Sequence, residues 1–165
     1  MKIIVRILLL AALAGLGLWL WTILFPSPEK LVLEKISSLA TTATINANDG
    51  NFVRAGKVSN LIGYFSSDAQ IVLEISGVGQ GALNGRDEIR EAAAHGFTGL
   101  KSLNVKFLDA TAKIGADRQS AEVNCTAEVQ IGDSKELGVQ ELVFQLKKID
   151  ENWRITRIES VKTLQ

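Results

Sequence analysis

The chain has 165 residues, with 18 basic and 18 acidic side chains, one histidine, one cysteine and 47% hydrophobic residues. Balanced charge without a Lys/Arg cluster excludes a nucleic-acid-binding footprint. A lone Cys excludes an internal disulfide, and one His and one Cys far apart supply too few ligands for a metal centre.

The first element is the apolar run Ile7–Phe25, nineteen residues without charge in which Thr22 is the one polar side chain. As a helix it extends about 28 Å, close to the ~30 Å hydrocarbon core of a bilayer. Lys2 and Arg6 precede the run, and Pro26-Ser27-Pro28 closes it. A cleaved signal peptide has a shorter core and a small-residue exit. Here the exit, Trp21-Thr22-Ile23-Leu24-Phe25, is bulky, so the run reads as an uncleaved anchor. The positive-inside rule keeps the N-terminus cytoplasmic, and Trp19 and Trp21 suit the far interface. The expectation is a single-pass anchor over residues 1–26 in the cell membrane. One extracytoplasmic domain follows over 27–165, periplasmic in a Gram-negative host. Without Lys2 and Arg6 the domain keeps 16 basic against 18 acidic residues, a net of −2.

Ser27, Pro28 and Glu29 form a helix start: an N-cap, a proline at the first position and an acid at the positive dipole end. Val32, Ile36, Leu39, Ala40 and Ala43 recur at helical spacing. Thr41–Thr44 weakens the second half, and Asn48-Asp49-Gly50 is the expected stop. A second helix opens at Asn51, with Phe52, Ala55, Val58, Leu61, Ile62 and Phe65 on one face and Gly63 near its end. Ser66-Ser67-Asp68 reads as a turn, with Asp68 a turn residue, before a strand over Ala69–Ile75. A glycine-rich stretch, Gly77–Gly85, holds a short strand around Val78–Leu83. Arg86–His95 reads as a third helix stopped by Gly96.

From Lys101 the period becomes two. Strands are expected over 101–113, 118–131, 137–149 and 153–163, separated by the turns Gly115-Ala116-Asp117, Gly132-Asp133-Ser134 and Asp150-Glu151-Asn152. Ala121, Val123, Cys125, Ala127, Val129 and Ile131 alternate with Glu122, Asn124, Thr126, Glu128 and Gln130. Such alternation belongs to an antiparallel sheet with one face on a core. The fold class is therefore α+β: an N-terminal transmembrane helix, then curved antiparallel sheet packed on three helices.

The element order resembles the nuclear-transport-factor-2-like (SnoaL-like, cystatin-type cone) superfamily. Tyr64-Phe65-Ser66-Ser67-Asp68-Ala69 is similar to its turn into the first strand, and Gly85-Arg86-Asp87-Glu88-Ile89 to the loop-to-helix segment after it. Asn152-Trp153-Arg154-Ile155-Thr156-Arg157-Ile158 is similar to its closing strand. The resemblance covers most of residues 29–163. It implies a sheet curled into a cone, a small apolar ligand at the open end, and a convex face that pairs with a second subunit. Glu122, Thr126, Glu128 and Gln130 would then lie at or near a homodimer contact.

Catalytic relatives, such as ketosteroid isomerases and scytalone-dehydratase-like enzymes, place acids, His or Tyr inside the cone. Desolvation there brings pKa values toward the operating pH. By parity the inward set is Ile71, Leu73, Ile75, Leu103, Val105, Phe107, alternate residues of 121–131, Leu142, Phe144 and Leu146, none of which moves a proton. Glu74, Glu122, Glu128, Glu141 and Lys147 fall on the outward parity. The interior reads as a binding cavity or a filled core, with Tyr64, Phe65, Ile71, Leu73, Phe107, Cys125, Phe144 and Trp153 as pocket candidates. His95, Tyr64 and Glu74 are the weak catalytic candidates. Gly77-Val78-Gly79-Gln80-Gly81-Ala82 matches G-x-G-x-x-A but lacks the βαβ context of a dinucleotide site, so no cofactor is expected. Cys125 reads as a small buried hydrophobe. Asn124-Cys125-Thr126 is a glycosylation sequon placed mid-strand.

The sequence thus reads as a membrane-anchored, non-catalytic binding or assembly module with a small apolar pocket. Two alternatives stand beside it. One is a SnoaL-like isomerase, dehydratase or hydrolase acting on a small apolar substrate. The other is an assembly subunit of a membrane complex, similar in architecture to certain inner-membrane components of type IV secretion systems.

Overall fold

The computed structural model describes residues 15–16, 26–75, 79–134 and 136–161. Apart from Gly15 and Leu16, the expected span over 7–25 lies outside the described residues. Among the described residues no helix is long and apolar enough to cross a membrane.

Helix α1 (Pro28–Ala43) starts as its sequence dictates: Ser27 Oγ accepts the Lys30 amide at 3.3 Å, and Pro28 occupies the first turn. Val32, Ile36, Leu39 and Ala40 are buried along one stripe. The helix ends five residues before the expected stop at Asn48. Thr44 Oγ1 donates to Ala40 O at 3.0 Å and accepts the Val105 amide at 3.2 Å, while Ile45 exchanges backbone hydrogen bonds with Leu103. A strand partner across the core captures these β-branched residues before the helix reaches its sequence stop.

Helix α2 (Asn51–Ile62) buries Val58, Leu61 and Ile62. Phe52 and Ala55, expected on the same face, instead face water, Phe52 at 92% exposure, because no element covers the first turn. Strand β1 (Phe65–Ile75) then begins four residues earlier than expected and contains Ser66-Ser67-Asp68. The turn chemistry of these residues appears as a bulge. Phe65 pairs with Ile155 and Gln70 with Arg157, so five steps along β1 match two on its neighbour. Strand β2 (Gly79–Asn84) pairs back on β1. Helix α3 (Gly85–Gly99) opens at Gly85, whose φ of 80° suits glycine, and runs past Gly96. Phe97 is buried and Thr98 Oγ1 donates to Ala94 O, which holds one further turn together.

Strands β3 (Leu103–Ile114), β4 (Ser120–Ile131), β5 (Gly138–Ile149) and β6 (Asn152–Ser160) complete a six-stranded sheet in the order β2-β1-β6-β5-β4-β3. All neighbours are antiparallel except β1 and β6, which run parallel. That pair corrects the expectation of a wholly antiparallel sheet: β1 lies beside the last strand, a non-local choice that periodicity does not encode. Asp150 and Glu151, at φ 48° and 61°, make the two-residue turn between β5 and β6, whose twist matches the flanking strands.

Ala121, Val123, Cys125 and Ala127 of β4 point inward, with Phe144 and Leu146 of β5 beside them. Phe144 is fully enclosed and meets Phe107 edge-on, ring centroids 5.2 Å apart. Ile131, expected inward, is 51% exposed at the strand's end, where no helix covers it. A bulge at Asp109 shifts β3 so that Ala110, Ala112 and Ile114 take over from Leu103 and Phe107 in packing on the core. An extra residue near Thr156 does the same in β6, where Trp153 and Ile155 are followed by Ile158.

One polar clamp closes the end where α2, α3 and β3 meet. Arg54 donates to the backbone oxygens of Asp49, Phe97, Leu100 and Lys101 at 2.5–3.0 Å. The bonds to Phe97 and Leu100 satisfy carbonyls that the end of α3 leaves open, and the cation suits its negative dipole end. Lys57 bridges Thr44 O and Asp49, and its hydrogen bond holds the Asp49 carboxyl below the usual carboxylate range. This contribution is present at neutral pH and is lost as the pH falls through the lowered value. Arg54→Ala is expected to cost about 2–3 kcal/mol in urea denaturation, whereas Phe52→Ala, two residues away, changes stability by no more than about 0.5 kcal/mol. Equal effects would refute the clamp.

Candidate functional site

An open groove of about 690 Å³ lies between α1, the end of α2 and the β5–β6 turn. Leu31, Glu34, Lys35, Ser38 and Thr42 line it from α1, at spacings that form a second stripe beside the buried one. Ser59, Asn60, Gly63 and Tyr64 come from the end of α2, and Glu151, Asn152 and Trp153 from the turn. Gly63 packs closely here: a Cβ would lie 3.0 Å from Asn60 O.

Tyr64 is the centre of this groove. Its hydroxyl shares a hydrogen bond of 3.2 Å with Thr42 Oγ1, and Lys35 Nζ lies 5.2 Å from its ring centroid. Trp153 is buried and supplies the apolar floor. At the rim Glu34 pairs with Lys30 at 3.9 Å and Glu151 with Lys148 at 2.7 Å. Burial, and secondly the like charge of Arg154, lowers the Lys35 ammonium from its ordinary value.

Two of the sequence-derived pocket residues, Tyr64 and Trp153, meet in this groove. Phe65 and Phe144 are buried in the core, and Ile71 and Leu73 are half-buried against it. Phe107 lines a second groove of about 610 Å³ with Thr44 and Lys57. Cys125 borders a small hollow at the Asp109 bulge, and burial pushes its thiol up to about 11. The catalytic candidates do not come together. His95 is exposed on α3 and Glu74 is exposed toward the far end of β1, about 30 Å by strand rise from Tyr64. Gly79-Gln80-Gly81-Ala82 lies in β2, and among the described residues no group of three His, Cys, Asp or Glu side chains could hold a metal ion.

Lys35, Thr42 and Asn60 escaped the sequence reading. Leu31, Lys35, Ser38 and Thr42 do recur at i, i+4, i+7 and i+11, but a mixed polar stripe reads as a solvated face until a turn from elsewhere closes over it.

Residues 43–160 match the SnoaL-like domain. The chain belongs to the SnoaL-like domain family. No curated protein is significantly similar in sequence to this SnoaL-like chain. Solved structures share its fold. A nuclear-transport-factor-2-like protein of unknown function from Pseudomonas putida has a TM-score of 0.64 at 10% identity, covering 83% of this chain and 87% of its own. A nuclear-transport-factor-2-like protein with a cystatin-like fold from Novosphingobium aromaticivorans has a TM-score of 0.61 at 18% identity, covering 79% of each chain. A candidate scytalone dehydratase from the same organism has a TM-score of 0.60 at 12% identity, covering 82% of this chain and 83% of its own. At these identities the likeness is one of fold.

Lys35 makes the stability of the domain depend on pH. The folded SnoaL-like domain binds fewer protons at this position than the unfolded chain, so stability rises with pH between the lowered value and the ordinary 10.5. Relative to Lys35→Met, the natural chain is expected to gain stability as the pH rises from the lowered value toward 10.5. Water still reaches the ammonium, so the gain stays within about 1 kcal/mol by urea denaturation. A loss over the same interval would contradict the assignment.

Proposed function

We propose that this SnoaL-like domain is a non-catalytic binding or assembly module, held outside a cytoplasmic membrane by residues 7–25, that takes a small, largely apolar molecule in the Tyr64 groove. The observation that carries this reading is the closed cone. Val123 and Phe144 are fully enclosed and Leu146 nearly so. The Tyr64 groove lies outside this core, beside α1, and its floor is apolar. Pairing of outer sheet faces through Glu122, Thr126, Glu128 and Gln130 belongs to the same proposal. That face is polar, which suits a modest, wet interface.

A second reading is an isomerase, dehydratase or hydrolase. It is favoured by Lys35, whose lowered pKa and place over the Tyr64 ring put a proton-transfer group inside the groove.

Native mass spectrometry of the full chain released from detergent micelles tests the first reading. The expected result is a retained small-molecule mass that is lost on denaturation. Ser38→Trp, placed on an exposed position of α1, should fill the groove and abolish that mass while leaving the melting temperature within about 2 °C. A chain that carries no small molecule but purifies in fixed ratio with another membrane protein would move the conclusion to an assembly subunit. Chemical conversion of a retained molecule would favour the enzyme.

A further inference from the structure

The groove contains more charge than an apolar guest requires, and the charges are not equivalent. Glu151 pairs with Lys148, outside the lining, at 2.7 Å, and Glu34 lies on the exposed rim 3.9 Å from Lys30, beyond hydrogen-bond length. Lys35, half-buried, pairs with no carboxylate among the described residues and lies over the face of the Tyr64 ring. An ammonium has three donors, and a ring face does not satisfy them. The same groove is lined by groups able to donate a hydrogen bond: the hydroxyls of Ser38 and Ser59 and the carboxamide of Asn60. Leu31, 42% exposed, and the Trp153 floor provide apolar surface in the same groove.

We propose that the Tyr64 groove binds an anionic amphiphile, with its carboxylate or phosphate on Lys35 and its apolar body against Leu31 and Trp153. This inference rests on the binding-module reading and names the ligand class for it. A cationic guest is disfavoured, because Lys35 already occupies the Tyr64 face and Arg154 adds a second positive charge nearby. A neutral apolar guest would leave the half-buried ammonium without a counter-charge, whereas an anion offers it a charge-assisted hydrogen bond in a partly desolvated place. The cost of burial and of Arg154 repulsion, which lowers the Lys35 pKa, is what the anion would offset. Location supports the same class. Leu31 and Lys35 lie about 5–10 Å along α1 from Pro28, and two residues separate Pro28 from the apolar run ending at Phe25. A membrane phospholipid headgroup and a free fatty-acid-like molecule share the required chemistry, and the experiment separates them.

The full chain in neutral-detergent micelles is titrated with octanoate and with its uncharged isostere octanamide, reading the amide shifts of residues 59–64 and 151–154 by NMR. A parallel sample in nanodiscs compares phosphatidylglycerol with phosphatidylcholine. Octanoate is expected to bind at least about tenfold more tightly than octanamide. Lys35→Gln should remove this preference, and Lys35→Arg should restore most of it. Shifts with octanoate identify a free carboxylate as sufficient; shifts only in phosphatidylglycerol nanodiscs, lost in Lys35→Gln, support the proposal with a lipid headgroup as the source. Equal binding of octanoate and octanamide, untouched by Lys35→Gln, overturns the anionic assignment and leaves the binding reading standing. No binding of any probe, in micelle or nanodisc, overturns the anionic assignment, while a different small molecule retained in the mass spectrum would still uphold the binding reading.

Discussion

Burial of one stripe of α1 against the concave side of the sheet is the constraint on which this domain depends. Val32 and Ile36 are wholly enclosed there, and with Phe65, Val123, Phe144, Leu146 and Ile155 they form the centre of the core. A flat sheet could not wrap a helix in this way. The curvature is introduced at the bulges of β1, β3 and β6, each of which bends its strand and resets which residues face inward. Without the Asp109 bulge, Ala110, Ala112 and Ile114 would present to water and their polar neighbours to the core.

The completeness of that packing determines where a ligand could go. In a cone whose centre is occupied by Phe144 and Val123, the Tyr64 groove lies on the outer flank of α1. There the second stripe of the helix meets the β5–β6 turn, and a lysine is held half in and half out of solvent. A half-buried cation without a carboxylate costs stability locally, and such costs concentrate where binding or chemistry is served. The two-residue turn at Asp150-Glu151 matters for the same reason. Its left-handed backbone places Glu151 and Asn152 at the groove wall.

The opposite end of the domain is fastened by backbone satisfaction more than by apolar burial. Ile45 and Leu103 form an isolated antiparallel bridge, and Arg54 gathers four carbonyls from two segments. Phe52 beside it is left in water. The clamp therefore explains how a short α2 with three buried side chains keeps a fixed place against α3.

Local chemistry was legible in the residues themselves. The Ser27-Pro28 helix start, the Gly63 stop, the four long strands with their turns, the inward parity of β4 and the family likeness followed from capping, period and order, because each depends on neighbours a few positions away. The early end of α1 at Ala43, the absorption of Ser66-Ser67-Asp68 into β1 and the continuation of α3 through Gly96 did not follow. In each case a distant partner outweighed a local stop signal: Leu103 for Ile45, β6 for the start of β1, the core for Phe97. The parallel pairing of β1 with β6 and the meeting of Lys35, Tyr64 and Trp153 were likewise decided only by tertiary structure, since each joins residues far apart along the chain. A sequence period specifies which face of an element is apolar. It does not specify which other element covers that face, or what hollow is left beside it.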